Sequence, residues 1–374
     1  MNFLYWLHEA QDPHTYLKVK CIRFHPDSMT RLSPFDFHVL GYCISHSNCS
    51  WDLDLSGANF DSTSVKMILN SCTAETSRTD SASGQISRLY ANHNCCDKSL
   101  CSILELPHTI LQGLKAIIVG NIIASTSLDK LAKILETVGL PKLQQLIFRH
   151  TFVGKGAVSV FRALRTSSST ITRLYLSAFG IGDDAVEELR KLLATCRTLS
   201  CLEIHGTPFS SESLQLIFIG LAISTSLTLL DLSLIRFDQP AIEHLSAALG
   251  VNHTLRGLNI SRCDIGSDGA HNLTEVLEKN QTLKVLLVQE SEIGEGGAKA
   301  FAEMLEKNQS LKKLSLFDES IRFGGVFTLI TALEHNDTLE MLFLHAKCNP
   351  PELAKNSRYS FVNFSIPLVQ IAVP

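Results

Sequence analysis

The sequence predicts an α/β solenoid built from units of 28 residues, with parallel strands lining a concave face and helices covering the convex one. Three observations carry this reading. A leucine-type triplet recurs at a constant interval, and its inner pair has the two-residue spacing of a strand. Later in each unit the apolar residues switch to helical spacing.

The triplet L-x-x-L-x-L, with conservative swaps, stands at Leu143/Leu146/Phe148, Ile171/Leu174/Leu176, Leu199/Leu202/Ile204 and Leu227/Leu230/Leu232. It continues at Leu255/Leu258/Ile260, Leu283/Leu286/Val288, Leu311/Leu314/Leu316 and Leu339/Leu342/Leu344, each first anchor 28 residues after the last. Weaker copies at Leu114/Ile117/Val119 and Ile86/Leu89/Ala91 extend the pattern backwards, and Ser50/Leu53/Leu55 precedes a Ser- and Thr-rich insertion near 72–84. Five residues after each triplet an apolar residue returns: Val153, Ile181, Phe209, Phe237, Ile265, Ile293 and Ile321.

The helical half of each unit shows as Leu189/Leu192/Leu193, Leu245/Ala248/Leu249, Leu273/Val276/Leu277, Phe301/Met304/Leu305 and Leu329/Ala332/Leu333. The i, i+3, i+4 spacing is one face of a helix, and stretches such as LTEVLEKN put Glu and Lys on the other. Asn252, Asn280, Asn308 and Asn336 recur three residues before the next leucine. Asn tolerates the left-handed conformation that closes a helix, so the column is expected to mark helix ends in that conformation. The same residues form N-x-S/T sequons, which matter only in a secreted protein.

Sizes dictate the shape expected of such an array. Neighbouring strands sit about 4.8 Å apart, whereas helices with side chains need about 10 Å. Stacking like on like therefore bends the array into a horseshoe with strands inside.

This unit, with helix openings such as IGSDGAHNL and IGEGGAKAF, resembles the ribonuclease-inhibitor-like subfamily of leucine-rich repeats over roughly residues 50–345. The resemblance implies a leucine-rich-repeat solenoid. It departs at one column, where the family places Asn or Cys three residues after the triplet to bond the turn. Thr151, Phe179, Thr207, Ile235, Cys263, Ser291 and Glu319 stand there, and Phe179 and Ile235 lack the needed polar group, so looser turns are expected at those two.

The segments FLYWLHEAQDP and LSPFDFHVLGYCISHSNCSWDLDLSG are similar to the region that leads into the repeats of NOD-like (NACHT) receptors. Equally, they serve as the cap that every solenoid needs over its first open core. The resulting division is an N-terminal helical linker and cap over 1–48, repeats over 49–346, and a cap or tail over 347–374 in which Pro350 and Pro351 break the period. No G-x-x-x-x-G-K-[ST] is present, so the resemblance implies the sensing part of such a receptor without its ATPase module.

Composition narrows the function classes. A net charge of -4 gives no electrostatic reason to expect nucleic acid or an anionic membrane as partner. The longest apolar candidate, Leu214 to Ile223, is interrupted by Gln215 and Gly220 and falls short of the 18–20 residues or so a spanning helix needs. Glu9 and Asp12 follow an N-terminus without a basic leader, and the 11 cysteines make an odd, scattered set. Both point to reduced thiols in the cytoplasm.

No catalytic residue, metal site or cofactor is expected. G-x-S-x-G and H-E-x-x-H are absent, and the 14 histidines gather around no nucleophile. His93, Cys95, Cys96 and Cys101 form the one ligand-like cluster, but adjacent cysteines and a four-residue gap are a poor match to zinc spacing.

What remains is surface. Side chains between the strand anchors point away from the core, onto the concave face. Their identities vary from unit to unit: Arg149, Arg173, Tyr175, Glu203, His205, Asp231, Arg262, Gln289, Glu290, Phe317, Asp318 and Phe343 are the candidate partner-binding residues. Arginine and aromatics beside acids are a composition suited to protein recognition. The expected function is thus a non-enzymatic protein-interaction module, and the receptor resemblance implies sensing or regulation in innate immunity. Two alternatives stay open: a regulator of an enzyme (a nuclease inhibitor or GTPase-activating protein), and a scaffold or ubiquitin-ligase adaptor. Neither the partner nor the oligomeric state is legible.

Overall fold

The computed structural model describes residues 21–24, 32–45, 50–54, 63–64, 66–68, 85–91, 96–106, 108–120, 125–149, 154–167, 170–177, 180–345 and 362–363. They fall into two compact units divided between Ala185 and Val186. In both, parallel strands alternate with helices, the α/β architecture of a leucine-rich-repeat solenoid.

In the first unit the strands are β1 (Cys21–Phe24), β2 (Ser50–Asp54), β3 (Gln85–Ala91), β4 (Ala116–Gly120), β5 (Gln145–Arg149) and β6 (Arg173–Ser177). Each pairs in parallel with the next. The register aligns the triplets: Leu89 opposes Ile117, Ile117 opposes Leu146, and Leu146 opposes Leu174. One irregularity, between Trp51 and Asp52, accommodates the imperfect early copy. The helix Ser125–Thr137 buries Leu128, Leu131, Ala132 and Leu135 at helical spacing.

The segment read as an N-terminal cap holds the helix Pro34–Ser45, which buries Phe37, Val39, Leu40, Cys43 and Ile44. Ser33 and Asp36 cap it reciprocally: the Ser33 amide donates to the Asp36 carboxylate at 2.5 Å, and the Asp36 amide to the Ser33 hydroxyl at 3.3 Å. The ladder reaches further than the triplet pattern, because β1 pairs with β2 through Cys21 and Ser50. The insertion near 72–84 lies outside the described residues.

The second unit carries β7 (Cys201–His205), β8 (Leu229–Asp231), β9 (Gly257–Asn259), β10 (Val285–Leu287), β11 (Lys313–Leu316), β12 (Met341–Leu344) and β13 (Val362–Asn363). Leu202, Leu230, Leu258, Leu286, Leu314 and Leu342 stand opposite one another in sequence, ending at Val362. These six leucines are fully buried. β13 thus adds a strand inside the segment read as a tail.

Neighbouring helices approach closely where the sequence repeats glycine. A Cβ on Gly297 would lie 2.8 Å from Ile293 Cβ and 2.9 Å from Ala270 Cβ, so only glycine fits without displacing the preceding helix. Gly269 and Gly325 hold the same position one unit before and after.

The asparagine column departs from its expected conformation. Asn252, Asn308 and Asn336 have φ of -79°, -75° and -122°, all extended rather than left-handed. The reason lies in the side chains. In each of the four, Oδ1 accepts from the amides two and three residues ahead, as in Asn252 with Thr254 at 3.0 Å and Leu255 at 2.8 Å. Nδ2 donates back to a helix-end carbonyl of the preceding unit: Leu221, Leu249, Leu277 and Leu305, at 2.6–2.9 Å. The four residues are buried, so the sequons present no accessible amide while the fold is intact.

The strand-to-helix turns resolve the second expectation. The Cys263 thiol and Ser291 hydroxyl bond the carbonyls of Leu232 and Ile260, at 3.3 and 3.2 Å. Ile235 has no such group and is buried in the core, yet its turn is held by main-chain bonds from Leu234 to Ser261 and from Phe237 to Cys263, each 3.0 Å. Looser bonding at Ile235 is therefore not observed, and Phe179 lies outside the described residues.

Candidate protein-interaction face

Alternation along each strand divides its side chains between two faces. The triplet residues face the helices and are buried; the intervening ones face the other way, here called the strand side. The candidate residues belong to both units, and each group has its own geometry.

In the first unit, β5 and β6 place Ile147 opposite Tyr175 and Arg149 opposite Ser177. The exposed Arg149 guanidinium lies 5.6 Å from the Tyr175 ring centroid, a cation–π contact across adjacent strands. Arg173, two residues before Tyr175, is half-buried. Together they offer a cationic and aromatic patch.

In the second unit the character changes to acidic and amide. Glu203 on β7 opposes Asp231 on β8, which opposes Asn259 on β9. Asp231 accepts from Asn259 Nδ2 at 2.9 Å and from the Ser233 amide at 2.9 Å. His205 stands at the end of β7, half-buried. Gln289 donates to the Ser315 hydroxyl at 2.8 Å, and Phe343 is half-buried on β12.

Arg262 and Glu290 stand after their strands, on left-handed backbone with φ of 58° and 46°. Their side chains form a bidentate pair, with contacts of 2.8 and 2.9 Å. Hydrogen bonding to Glu290 raises the Arg262 pKa further.

Two candidates are not where alternation placed them. Asp318 is only 3% exposed and accepts from the amides of Ser291 at 2.9 Å, Ile293 at 3.3 Å and Ser320 at 2.8 Å. It braces the preceding turn instead of facing a partner. Phe317 is 7% exposed and packs edge-on against His345 at 4.6 Å. The alternation rule fails here because the strand ends at Leu316 and the chain turns.

Cys101 bonds Ser127 at 3.6 Å, and the rest of its cysteine–histidine cluster offers no described side chains. Among the described residues no three His, Cys, Asp or Glu side chains are placed to share a metal ion, and no helix is long and apolar enough to cross a membrane.

Sequence reasoning missed a basic row, Arg256, Lys284 and Lys312, because it took the residues flanking the inner anchors and those after the triplet, and passed over the position directly after each first anchor. The signal was present: the three recur at the 28-residue period.

A family model described as leucine-rich repeat matches residues 251–273. No curated protein matches the sequence. Among solved structures, the Rad7–Elc1 complex of yeast aligns over 92% of this chain and 82% of that one, with 16% identity and a TM-score of 0.45. Actin-binding site 2 of leiomodin-1 aligns over 41% of this chain and 88% of its own, with 23% identity and a TM-score of 0.36. The tropomodulin C-terminal domain of Caenorhabditis elegans covers 40% and 92%, with 17% identity and a TM-score of 0.34. At such scores these likenesses carry no functional weight.

Proposed function

We propose that this leucine-rich-repeat chain is a non-enzymatic protein-interaction module that takes its partner on the strand side. One observation carries the reading. Six aligned leucines are fixed along the buried column of the second unit, while the positions beside them run Glu203, Asp231, Asn259, Leu287, Ser315 and Phe343. Of the second set, Leu287, Ser315 and Asn259 are buried, while Glu203, Asp231 and Phe343 keep surface on the strand side that core packing does not dictate and that can serve recognition. A surface held by a continuous ladder is also preorganised, so little conformational entropy is lost on binding.

The N-terminal resemblance to NOD-like receptors supports a narrower placement, as a cytoplasmic sensing or regulatory protein of innate immune signalling. Reversing Arg173 and Glu203 (Arg173→Glu, Glu203→Lys) in the full chain tests the face. Capture of the cellular partner should be lost with an unchanged melting temperature, whereas reversal of helix-side Lys299 and Glu303 should leave capture intact. Capture indifferent to the first pair, or abolished by the second, would reject the strand side. The narrower placement is tested by depleting the protein and measuring an inflammatory reporter; an unaltered response would count against it.

A further inference from the structure

The row Arg256, Lys284 and Lys312 immediately precedes β9, β10 and β11. Main-chain bonds run directly between its members: the Lys284 amide donates to the Arg256 carbonyl at 2.7 Å, and the Lys312 amide to the Lys284 carbonyl at 2.8 Å. The three cations thus stand on consecutive rungs, about 4.8 Å apart at the backbone. On the two preceding rungs the position holds Ser200 and Thr228; on the following one it holds Glu340.

Neutralisation within the row is partial. Lys312 meets Glu340 at 3.1 Å. Arg256 reaches only the Thr282 carbonyl and Lys284 only the Gln281 carbonyl, both at 3.4 Å. Among the described residues neither pairs with a carboxylate, nor does the adjacent Lys313. Partial burial and the neighbouring charges of Arg256 and Lys312 hold the Lys284 ammonium below the usual lysine pKa. Like charges on facing rungs oppose folding, so the fold alone gives no reason for this arrangement.

We propose that Arg256, Lys284 and Lys312, with Lys313 beside them, hold an acidic segment of the protein partner. This rests on the interaction-module reading and narrows it to partner chemistry. Three rungs span about 10 Å, the length of roughly three extended residues. Two acidic side chains two or three residues apart fit that span. Glu340 closes one end of the row. A phosphate backbone, which gains affinity by neutralising many charges in succession, is a poor match for so short a row.

The probe is a fluorescent ten-residue peptide carrying Glu at alternate positions, titrated by anisotropy into the full chain at low ionic strength. A Gln-substituted peptide and a single-stranded oligonucleotide serve as comparisons. The acidic peptide should bind about tenfold tighter than either, and the variant R256Q/K284Q/K312Q should lose about that factor. Relief of repulsion along the row offsets the loss of the exposed Lys312–Glu340 pair, so the variant should melt close to the parent. Equal binding of the two peptides, unimpaired binding by the variant, or preference for the oligonucleotide would overturn the proposal. So would a markedly lowered melting temperature, which would make the row structural. None of these outcomes touches the wider reading, which stands or falls with Arg173 and Glu203.

Discussion

The side-chain nitrogen of Asn308 lies 2.6 Å from the carbonyl oxygen of Leu277, 31 residues earlier. With its Oδ1 held by the amides of Ser310 and Leu311, at 2.9 and 2.8 Å, this one buried side chain joins the end of a helix to the start of the next strand. Asn308→Ala should therefore cost about 2–3 kcal/mol, since donors and acceptors on both sides lose their partner inside the core. Asn308→Asp should cost more at neutral pH, because a carboxylate would face the carbonyls of Leu277 and Asn280. The folded state would raise that carboxyl's pKa, so its deficit should be smallest below the unfolded value near 3.9 and grow as pH rises through the folded one. Denaturant melts from pH 3 to 8 check both; an Asp variant as stable as the parent at pH 8 would remove the brace.

Leu234 carries a φ of 63° and a side chain 50% exposed, where the preceding turn has Gly206 at φ 65°. A leucine in left-handed backbone is strained and gains little here from burial. Leu234→Gly should stabilise the chain by roughly 0.5–1 kcal/mol, the relief of strain exceeding the added freedom of the unfolded chain. A lowered thermal midpoint would contradict this.

Burial pushes the Cys263 thiol up to about 12 from an ordinary 9.0. The folded thiol should resist alkylation at pH 8 and react only on unfolding, which mass spectrometry of the labelled peptide would read. Above pH 9 the unfolded chain ionises this thiol while the folded one does not, so the contribution to stability is lost as pH rises from 9 towards 12. Cys263→Ser keeps the bond to the Leu232 carbonyl and should be tolerated better than Cys263→Ala. Equal losses in the two variants would show that the bond is idle.

The fold was legible because its determinant is periodic: the same apolar spacing repeated often enough to leave one arrangement in which all triplets are buried together. The outer strands, Cys21–Phe24 and Val362–Asn363, were not, since a strand at the end of a ladder needs few anchors of its own and breaks the period. Local conformation was misread at Asn252, Asn308 and Asn336. Propensity suggested a left-handed residue, but the side-chain bonds to the preceding unit favour extended backbone. For the face, strand alternation located Tyr175, Glu203 and Asp231, which lie within strands. It misplaced Asp318, beyond the strand end, where backbone amides compete for a carboxylate and draw it inward.

Photo-crosslinking in cells tests the central claim most directly, because it reports contact irrespective of stability. A photoreactive residue is placed in turn at Tyr175 and Glu203 on the strand side, and at Lys299 and Glu303 on the helix side. The first two positions should each yield crosslinks to a protein and the last two none; a partner joined from the helix side alone would contradict the account.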